Sequence, residues 1–319
     1  MRRRVRPVTE ERRLRVTTSA RLDRAVVAAM PELSRSQVRR LIEDGNVRVS
    51  GEVTTKPAYT VKEGSEVSVT EPLVPNLDWQ SLEVPLEVIF EDEETLILNK
   101  PAGIIVHPRP GIHEVTLINA IRARYPEIRE IDDSGRGGVV HRLDRDTSGV
   151  IAFAKSKAAQ HTLKQQWRER ETLKRYLAIV EGFVDPSEGV IEAPIGPDPN
   201  NPRQRAIIEK GQYARSKFEV LEQFDDAAAF LSVRIHTGRT HQIRVHLAAI
   251  GHPVIGDQMY GRTSELIDRQ ALHAHVLGVR LPSTGEWREF EAPLPDDMNK
   301  LLTTLSQRYL VDEPNAEVG

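Results

Sequence analysis

The chain contains no cysteine. That excludes disulfides, thiolate catalysis, iron–sulfur clusters and cysteine-ligated zinc. Aromatic residues make up only 5% of it, so stacking platforms for sugars are few. No stretch approaches the ~18 uncharged apolar residues of a membrane span. The N-terminus, Met1-Arg2-Arg3-Arg4-Val5-Arg6-Pro7, has no apolar run after its charges and does not read as a secretory signal. Low-complexity tracts and internal repeats are missing too. These absences leave a soluble cytoplasmic protein as the expectation, and nothing demands more than a monomer.

At 319 residues, with 39% hydrophobic and 29% charged side chains, the chain can bury one large core or two unequal ones. Its net charge of -3 hides an uneven distribution. Residues 1–71 carry a balance of +5 and the remainder -8. A basic head on an acidic body suggests a binding module joined to something else.

Three prolines between Glu71 and Pro85 mark an extended linker. The expected organisation is a basic arm at 1–15, a small domain at 16–71, a linker at 72–86, a large domain at 87–308 and a flexible tail at 309–319. In the small domain, Ser19 to Met30 has helical spacing and Pro31 stops it. Ser34 can cap a second helix with Val38, Leu41 and Ile42 inward, Arg35, Arg39 and Arg40 outward, and Gly45 as its stop. Val47 to Val49 and Val67 to Val69 alternate as strands.

In the large domain, Val88 to Phe90 and Leu96 to Leu98 read as a hairpin. Gly149 to Lys155 reads as a buried strand, and Ser156 caps a helix carrying Ala159, Leu163 and Trp167. Further strands fall at Tyr176–Val180, Phe218–Phe224, Phe230–Ile235, Leu272–Leu281 and Trp287–Phe290. Thr240 to Ile250 reads as a helix. Strands without regular βαβ alternation predict an α+β fold on a large, mostly antiparallel sheet.

The chemistry-bearing residues cluster. In Gly138-Val139-Val140-His141-Arg142-Leu143-Asp144-Arg145-Asp146-Thr147-Ser148-Gly149, apolar strands flank two carboxylates, two arginines and a histidine. Loops at strand ends are where sites are built, and the arginines favour ionised carboxylates nearby. The same pattern also suits a salt-bridged turn. A second cluster, Thr237-Gly238-Arg239-Thr240-His241-Gln242-Ile243-Arg244-Val245-His246, places donors at a helix start. It could meet a phosphate, or a carboxylate from the first cluster, or simply face solvent. His236, His241 and His246 lie five apart, which is not the four-residue spacing of helical zinc pairs. Tyr176 follows Lys174-Arg175 at a strand mouth, where a ring can stack on a base or belong to the core. Asn99 to Pro108 reads as strand, turn, strand, with Lys100 and His107 as candidate phosphate contacts.

The motifs His141-Arg142-Leu143-Asp144 and Asp146-Thr147-Ser148-Gly149 resemble the catalytic motif of the RluA/RluD family of pseudouridine synthases. Arg170 to Tyr176, Gly238 to His246, Gly251-His252-Pro253 through Gly256-Asp257, Tyr260-Gly261 and Ala271-Leu272-His273-Ala274 continue the resemblance in order over about residues 85–300. Residues 20–70 are similar to the α-L RNA-binding module, through Ser34 to Ile42 and Gly45 to Val49. The pair of modules resembles the RluD type, which modifies large-subunit ribosomal RNA. Between Tyr260 and Arg269 the chain is short where some relatives carry a longer loop.

The resemblance implies isomerisation of uridine to pseudouridine in RNA, in ribosome biogenesis, without a cofactor or metal. It assigns the catalytic carboxylate to Asp144 and substrate binding to Tyr176, Arg244, Arg142, His141 and Ile243. It assigns RNA contacts in the small domain to Arg35, Arg39, Arg40 and Lys56. Asp146 then becomes a structural turn residue. Two rivals remain in view. A glycoside hydrolase would pair Asp144 with Asp146 on one strand face, and a non-catalytic RNA-binding protein would not need Asp144.

Overall fold

The computed structural model describes residues 9–31, 33, 35–72, 86–107, 115–131, 137–201 and 203–309. The chain divides into two compact units, 1–78 and 79–319. The expected linker lies almost wholly outside the described residues, as do the tail from 310 and the Ser34 cap.

The first unit holds β1 (Thr9–Arg15), β2 (Ala20–Arg21), α1 (Leu22–Ala29), α2 (Arg35–Glu43), β3 (Val47–Val49), β4 (Glu52–Val53), β5 (Thr60–Val61) and β6 (Glu66–Pro72). Four strands form a sheet in the order β1-β6-β3-β4, and β2 pairs with β5. The core is Leu22, Val26, Val38, Ile42, Val47, Val67 and Val69, all fully buried. These are the inward positions of two short helices and two alternating strands, so burial follows the apolar spacing.

Two expectations change here. Residues from Thr9, read as part of a basic arm, form β1 and run antiparallel to β6 from Thr9↔Pro72 to Arg15↔Glu66. The helix expected from Ser19 starts at Leu22, because Ala20 and Arg21 are taken by pairing with Val61 and Thr60. α2 ends as read, with Gly45 at φ 76°.

The second unit is built on β7 (Glu87–Glu91), β8 (Thr95–Lys100), β9 (Ser148–Ala154), β10 (Leu173–Glu181), β11 (Glu188–Glu192), β12 (Ile195–Pro197), β13 (Arg205–Ile207), β14 (Arg215–Phe224), β15 (Ala228–Ile235), β16 (Leu272–Arg280) and β17 (Trp287–Glu291). Its helices are α3 (Leu117–Arg124), α4 (Lys157–Glu169), α5 (Gln242–Ala249) and α6 (Asp296–Tyr309). Nine strands form one sheet in the order β11-β14-β15-β10-β16-β9-β8-β7, with β17 also on β16. The pairings are antiparallel except β9 with β16, where Ser148 meets His273 and Gly149 meets Ala274. The α+β reading, with a large mixed and mostly antiparallel sheet, is borne out.

Two elements depart from their expected form. Among the described residues after β8, 101–107, there is no second strand. The Ile105 and Val106 carbonyls instead accept from the Leu117 and Ile118 N–H groups at the start of α3. Carbonyls committed to a helix start are not available to a ladder. The helix expected from Thr240 begins at Gln242, because His241 is left-handed, with φ 58°.

The parallel pair sets up the site. It brings the beginnings of β9 and β16 side by side, so the loop before β9 opens where β16 starts. Gly149 makes this approach possible. Its φ is 115°, and a Cβ there would run into the Ala274 carbonyl. Tyr176, on β10, is packed against both large hydrophobic cores of the sheet and so stands at their seam.

Candidate active site

An open cleft of about 540 Å³ lies at this seam, with Asp144, Tyr176, Arg142, Ile243, Arg244 and His241 among its lining residues. The two polar clusters of the sequence therefore meet. The turn 141–147 delivers Asp144, and Thr147 N–H closes it onto the Asp144 carbonyl at 3.2 Å. Buried α5 delivers Arg244. Of the alternatives open for the second cluster, the structure supports the carboxylate partner, met by side chains rather than by backbone donors.

Arg244 is the centre of the arrangement. It donates from Nε to Asp257 Oδ2 at 2.6 Å and from Nη2 to Asp257 Oδ1 at 2.8 Å. A third donor, Nη1, reaches Asp144 Oδ2 at 3.3 Å. Burial opposes the charge on Arg244, but its bonds to Asp257 outweigh that, and its pKa is raised. The cleft thus contains a permanent cation that cannot move, beside a carboxylate that water can reach. Tyr260 also packs under the guanidinium, 5.1 Å from ring centroid to Cζ.

His241 approaches the other Asp144 oxygen, with Nε2 3.9 Å from Oδ1. Burial lowers its pKa, with the Asp144 charge acting the other way, so the ring is neutral near pH 7. Its tautomer follows from its neighbours. The Tyr260 hydroxyl accepts the Arg205 N–H at 2.7 Å and stands 2.8 Å from His241 Nδ1. Its one proton is therefore best used on Nδ1, which leaves the imidazole proton on Nε2, facing Asp144.

Tyr176 offers a half-buried ring to the cleft. Burial and the nearby Asp144 charge push its hydroxyl pKa up, so it stays protonated. Ile243 is buried at the cleft wall, and exposed Arg142 stands at its mouth.

Some expected site residues lie elsewhere. His141 does not enter the cleft. It stacks on Trp167 with ring centroids 4.5 Å apart, and its Nε2 accepts the Ala152 N–H at 2.9 Å. Burial lowers its pKa to about 3, so it holds the loop as a neutral acceptor. These contacts brace the motif from outside the cleft lining. Lys100 is not a phosphate contact either. It is fully buried, and Nζ donates to the Pro101, Ile104 and Arg145 carbonyls at 2.8, 2.9 and 2.8 Å. Asp146 lies on a separate cleft, so Asp144 and Asp146 do not form the carboxylate pair a glycoside hydrolase would need. Among the described residues no cluster of histidines and carboxylates suits a metal ion. No described helix is long and apolar enough to cross a membrane.

In the first unit, Arg35, Arg39 and Lys56 are exposed, and Arg39 pairs with Glu43 at 2.8 Å. The Arg40 side chain lies outside the described residues.

Asp257 is the functional residue that sequence reading passed over, although it closes the last part of the motif. It is wholly buried and also accepts from the Met259 and Tyr260 N–H groups. Only its place two turns of chain beyond α5, next to a glycine, could have signalled it.

Residues 94–249 match the family model for RNA pseudouridylate synthase, and residues 20–67 match the S4 domain. An RNA pseudouridine synthase of Chloroflexus aurantiacus is 43% identical, covering 91% of this chain and 92% of its own. The YlyB RNA pseudouridine synthase of Bacillus subtilis is 39% identical over 90% and 94%. Ribosomal large subunit pseudouridine synthase D of Vibrio parahaemolyticus is 37% identical over 87% and 88%. Among solved structures, human RNA pseudouridylate synthase domain containing 1 superposes with a TM-score of 0.55 at 27% identity, covering 69% of this chain and 94% of that one. The chain belongs to the RluA/RluD family of RNA pseudouridine synthases, and it is an isomerase that carries an RNA-binding S4 domain.

Proposed function

We propose that this enzyme isomerises specific uridines of large-subunit ribosomal RNA, with Asp144 as the catalytic carboxylate and Tyr176 as the platform for a flipped base. The observation that carries the reading is the Asp144–Arg244–Asp257 chain set in an open cleft beside the Tyr176 ring. The ribosomal target is supported by relatives named for the large subunit.

The reaction breaks the bond between the sugar and a ring nitrogen, turns the base, and joins the sugar to a ring carbon, which gives up its proton while the freed nitrogen takes one. No electrons leave and no group is exchanged with a second molecule. A uridine inside a helix must first leave its stack, at a cost of a few kcal/mol, and stacking on an aromatic ring returns part of that. Asp144 then acts on the sugar or the ring while Arg244 holds its orientation. Fixed donors cost no reorganisation when charge develops. Arg142, at the cleft mouth, contacts the RNA, and Ile243 closes the wall behind the base. In the S4 domain, Arg35, Arg39, Arg40 and Lys56 contact phosphates. Such contacts supply salt-dependent affinity and little sequence information. No membrane takes part, and the enzyme works as a monomer in the cytoplasm.

The test is pseudouridine mapping of large-subunit ribosomal RNA from cells lacking this chain, rescued by wild type or by Asp144→Asn. Loss at defined sites, restored by wild type alone, is the expected result. Restoration by Asp144→Asn would refute the catalytic assignment, and unchanged ribosomal sites would refute the target.

A further inference from the structure

Two lysines of the second unit are buried, and they are treated differently. Lys100 has three carbonyl acceptors. Lys174 is only 6% exposed and has no hydrogen-bond or carboxylate partner among the described residues. Its stem is buried, but Nζ is not among the buried side-chain atoms that lack a partner, so the ammonium itself reaches solvent with no protein acceptor beside it.

Its surroundings make the omission sharper. Lys174 lies two residues before Tyr176 on β10, on the same strand face. Arg170, the left-handed residue that ends α4, is exposed and lies over the Tyr213 ring at 5.4 Å. Arg239, on the cleft wall, donates from Nε to the Tyr213 carbonyl at 3.0 Å. Arg215 has a buried Nε with no hydrogen bond. Its nearest carboxylate is Glu192 at 3.7 Å, and Glu192 already accepts from the Tyr213 hydroxyl. His236 lies among these groups, and its charged neighbours are all cations: Arg215, Arg234, Lys174 and Arg170. Burial, reinforced by Arg170, pushes Lys174 down to about 8, so at neutral pH it is still mostly charged.

A cluster of cations with one rim carboxylate lacks a counter-charge. We infer that Lys174, Arg170 and Arg215 form a subsite for an RNA phosphodiester one nucleotide step from the uridine on Tyr176. Two residues of extended strand span about 7 Å, and that places the ammonium beside the stacked base rather than beneath it. The exposed Tyr213 ring borders the same strip and suits an RNA strand as occupant, since strand binding joins cations to aromatic faces. The inference rests on the proposed role of Tyr176.

The experiment measures binding of the full chain to a large-subunit ribosomal RNA transcript over a range of salt. Lys174→Met keeps the aliphatic stem and removes the charge. Arg170→Gln does the same at an exposed position, and so it decides the matter if Lys174→Met does not fold. Each should lower the slope of log affinity against log salt by about one and weaken binding about tenfold. Lys157→Met, an equal charge change at an exposed site on α4, should leave the slope at the wild-type value. Slopes unmoved by both neutral variants, in an enzyme that converts uridine in that transcript, would overturn the subsite alone. Failure of the wild-type chain to form pseudouridine in it would overturn the Tyr176 reading, and with it the placement beside a uridine.

Discussion

Asp257→Asn is the substitution that tests most directly how the cleft is held. The two side chains have the same shape, so no cavity opens. In the wild type, Oδ1 accepts from Arg244 Nη2, Met259 N–H and Tyr260 N–H, while Oδ2 faces Arg244 Nε at 2.6 Å. An asparagine that keeps its oxygen at the Oδ1 position places its NH2 against Nε, donor against donor. Breaking a buried ion pair from one side costs about 3–5 kcal/mol. Arg244 retains Asp144, so the low end, about 3 kcal/mol, is the expected loss. In a unit of this size each kcal/mol moves Tm by roughly 2–4 °C, so the catalytic-domain transition should fall by about 9 °C. The guanidinium also loses its alignment, and a displacement of about 1 Å in such a group costs on the order of 100-fold in rate. Thermal unfolding and single-turnover pseudouridine formation measure the two effects. A Tm within about 2 °C of wild type, with a rate within about threefold, would refute the claim that Asp257 positions Arg244.

At Tyr176, phenylalanine should bind RNA almost as well as tyrosine, and alanine should lose the roughly 1–3 kcal/mol of a base–aromatic stack. Equal affinity of the two variants in a filter-binding titration would remove the stacking role. His273 gives a pH prediction. It is fully buried between Ser148 Oγ at 2.9 Å and the Ala292 carbonyl at 3.2 Å, and burial lowers its pKa from 6.5 to about 4. The unfolded chain therefore takes up this proton first, and the stability present above pH 6.5 is lost as pH falls toward 4. By pH 5 this one group should cost about 2 kcal/mol. Denaturant unfolding at pH 7 and pH 5 reads the loss, and a His273 imidazole that titrates near 6.5 in the folded protein would contradict it.

Most elements were legible because their burial follows local spacing. β9 is buried at every position and apolar from Gly149 on, as its sequence reads. The Ser156 hydroxyl accepts the Ala159 N–H at 3.0 Å and starts α4 where a cap was expected. Errors came where distant partners decide. Ala20 and Arg21 look helical until β5 claims them. α5 defeats the amphipathic rule because Gln242, Arg244 and His246 are buried with its apolar residues. Gln242 bonds the Thr237 hydroxyl, the Arg239 N–H and Ser216, while His246 bonds Ser216 and the Ala193 carbonyl. A helix surrounded on all sides can carry polar residues inward if each finds a partner. His141 stands outside the cleft lining for a related reason. Its motif neighbours face the cleft, but its own ring turns inward to Ala152 and Trp167. Motif membership does not fix which way a side chain points.

The geometry of Arg244 also explains why Asp144 can be both fixed and available. Two short bonds tie the guanidinium to Asp257 and one longer bond reaches Asp144. Asp257, wholly buried, thus sets the position of Arg244, whatever Asp144 is doing. A carboxylate has about four lone-pair sites, and Asp144 commits one of them to Arg244, with His241 still 3.9 Å from its other oxygen. The rest face the cleft. Had Asp144 carried the bidentate bond, reacting or rotating would have meant breaking the pair that orders the site. With the strong half of the chain placed behind it, an Asp144 that acts on substrate as proposed can move while its cationic partner stays where Asp257 put it.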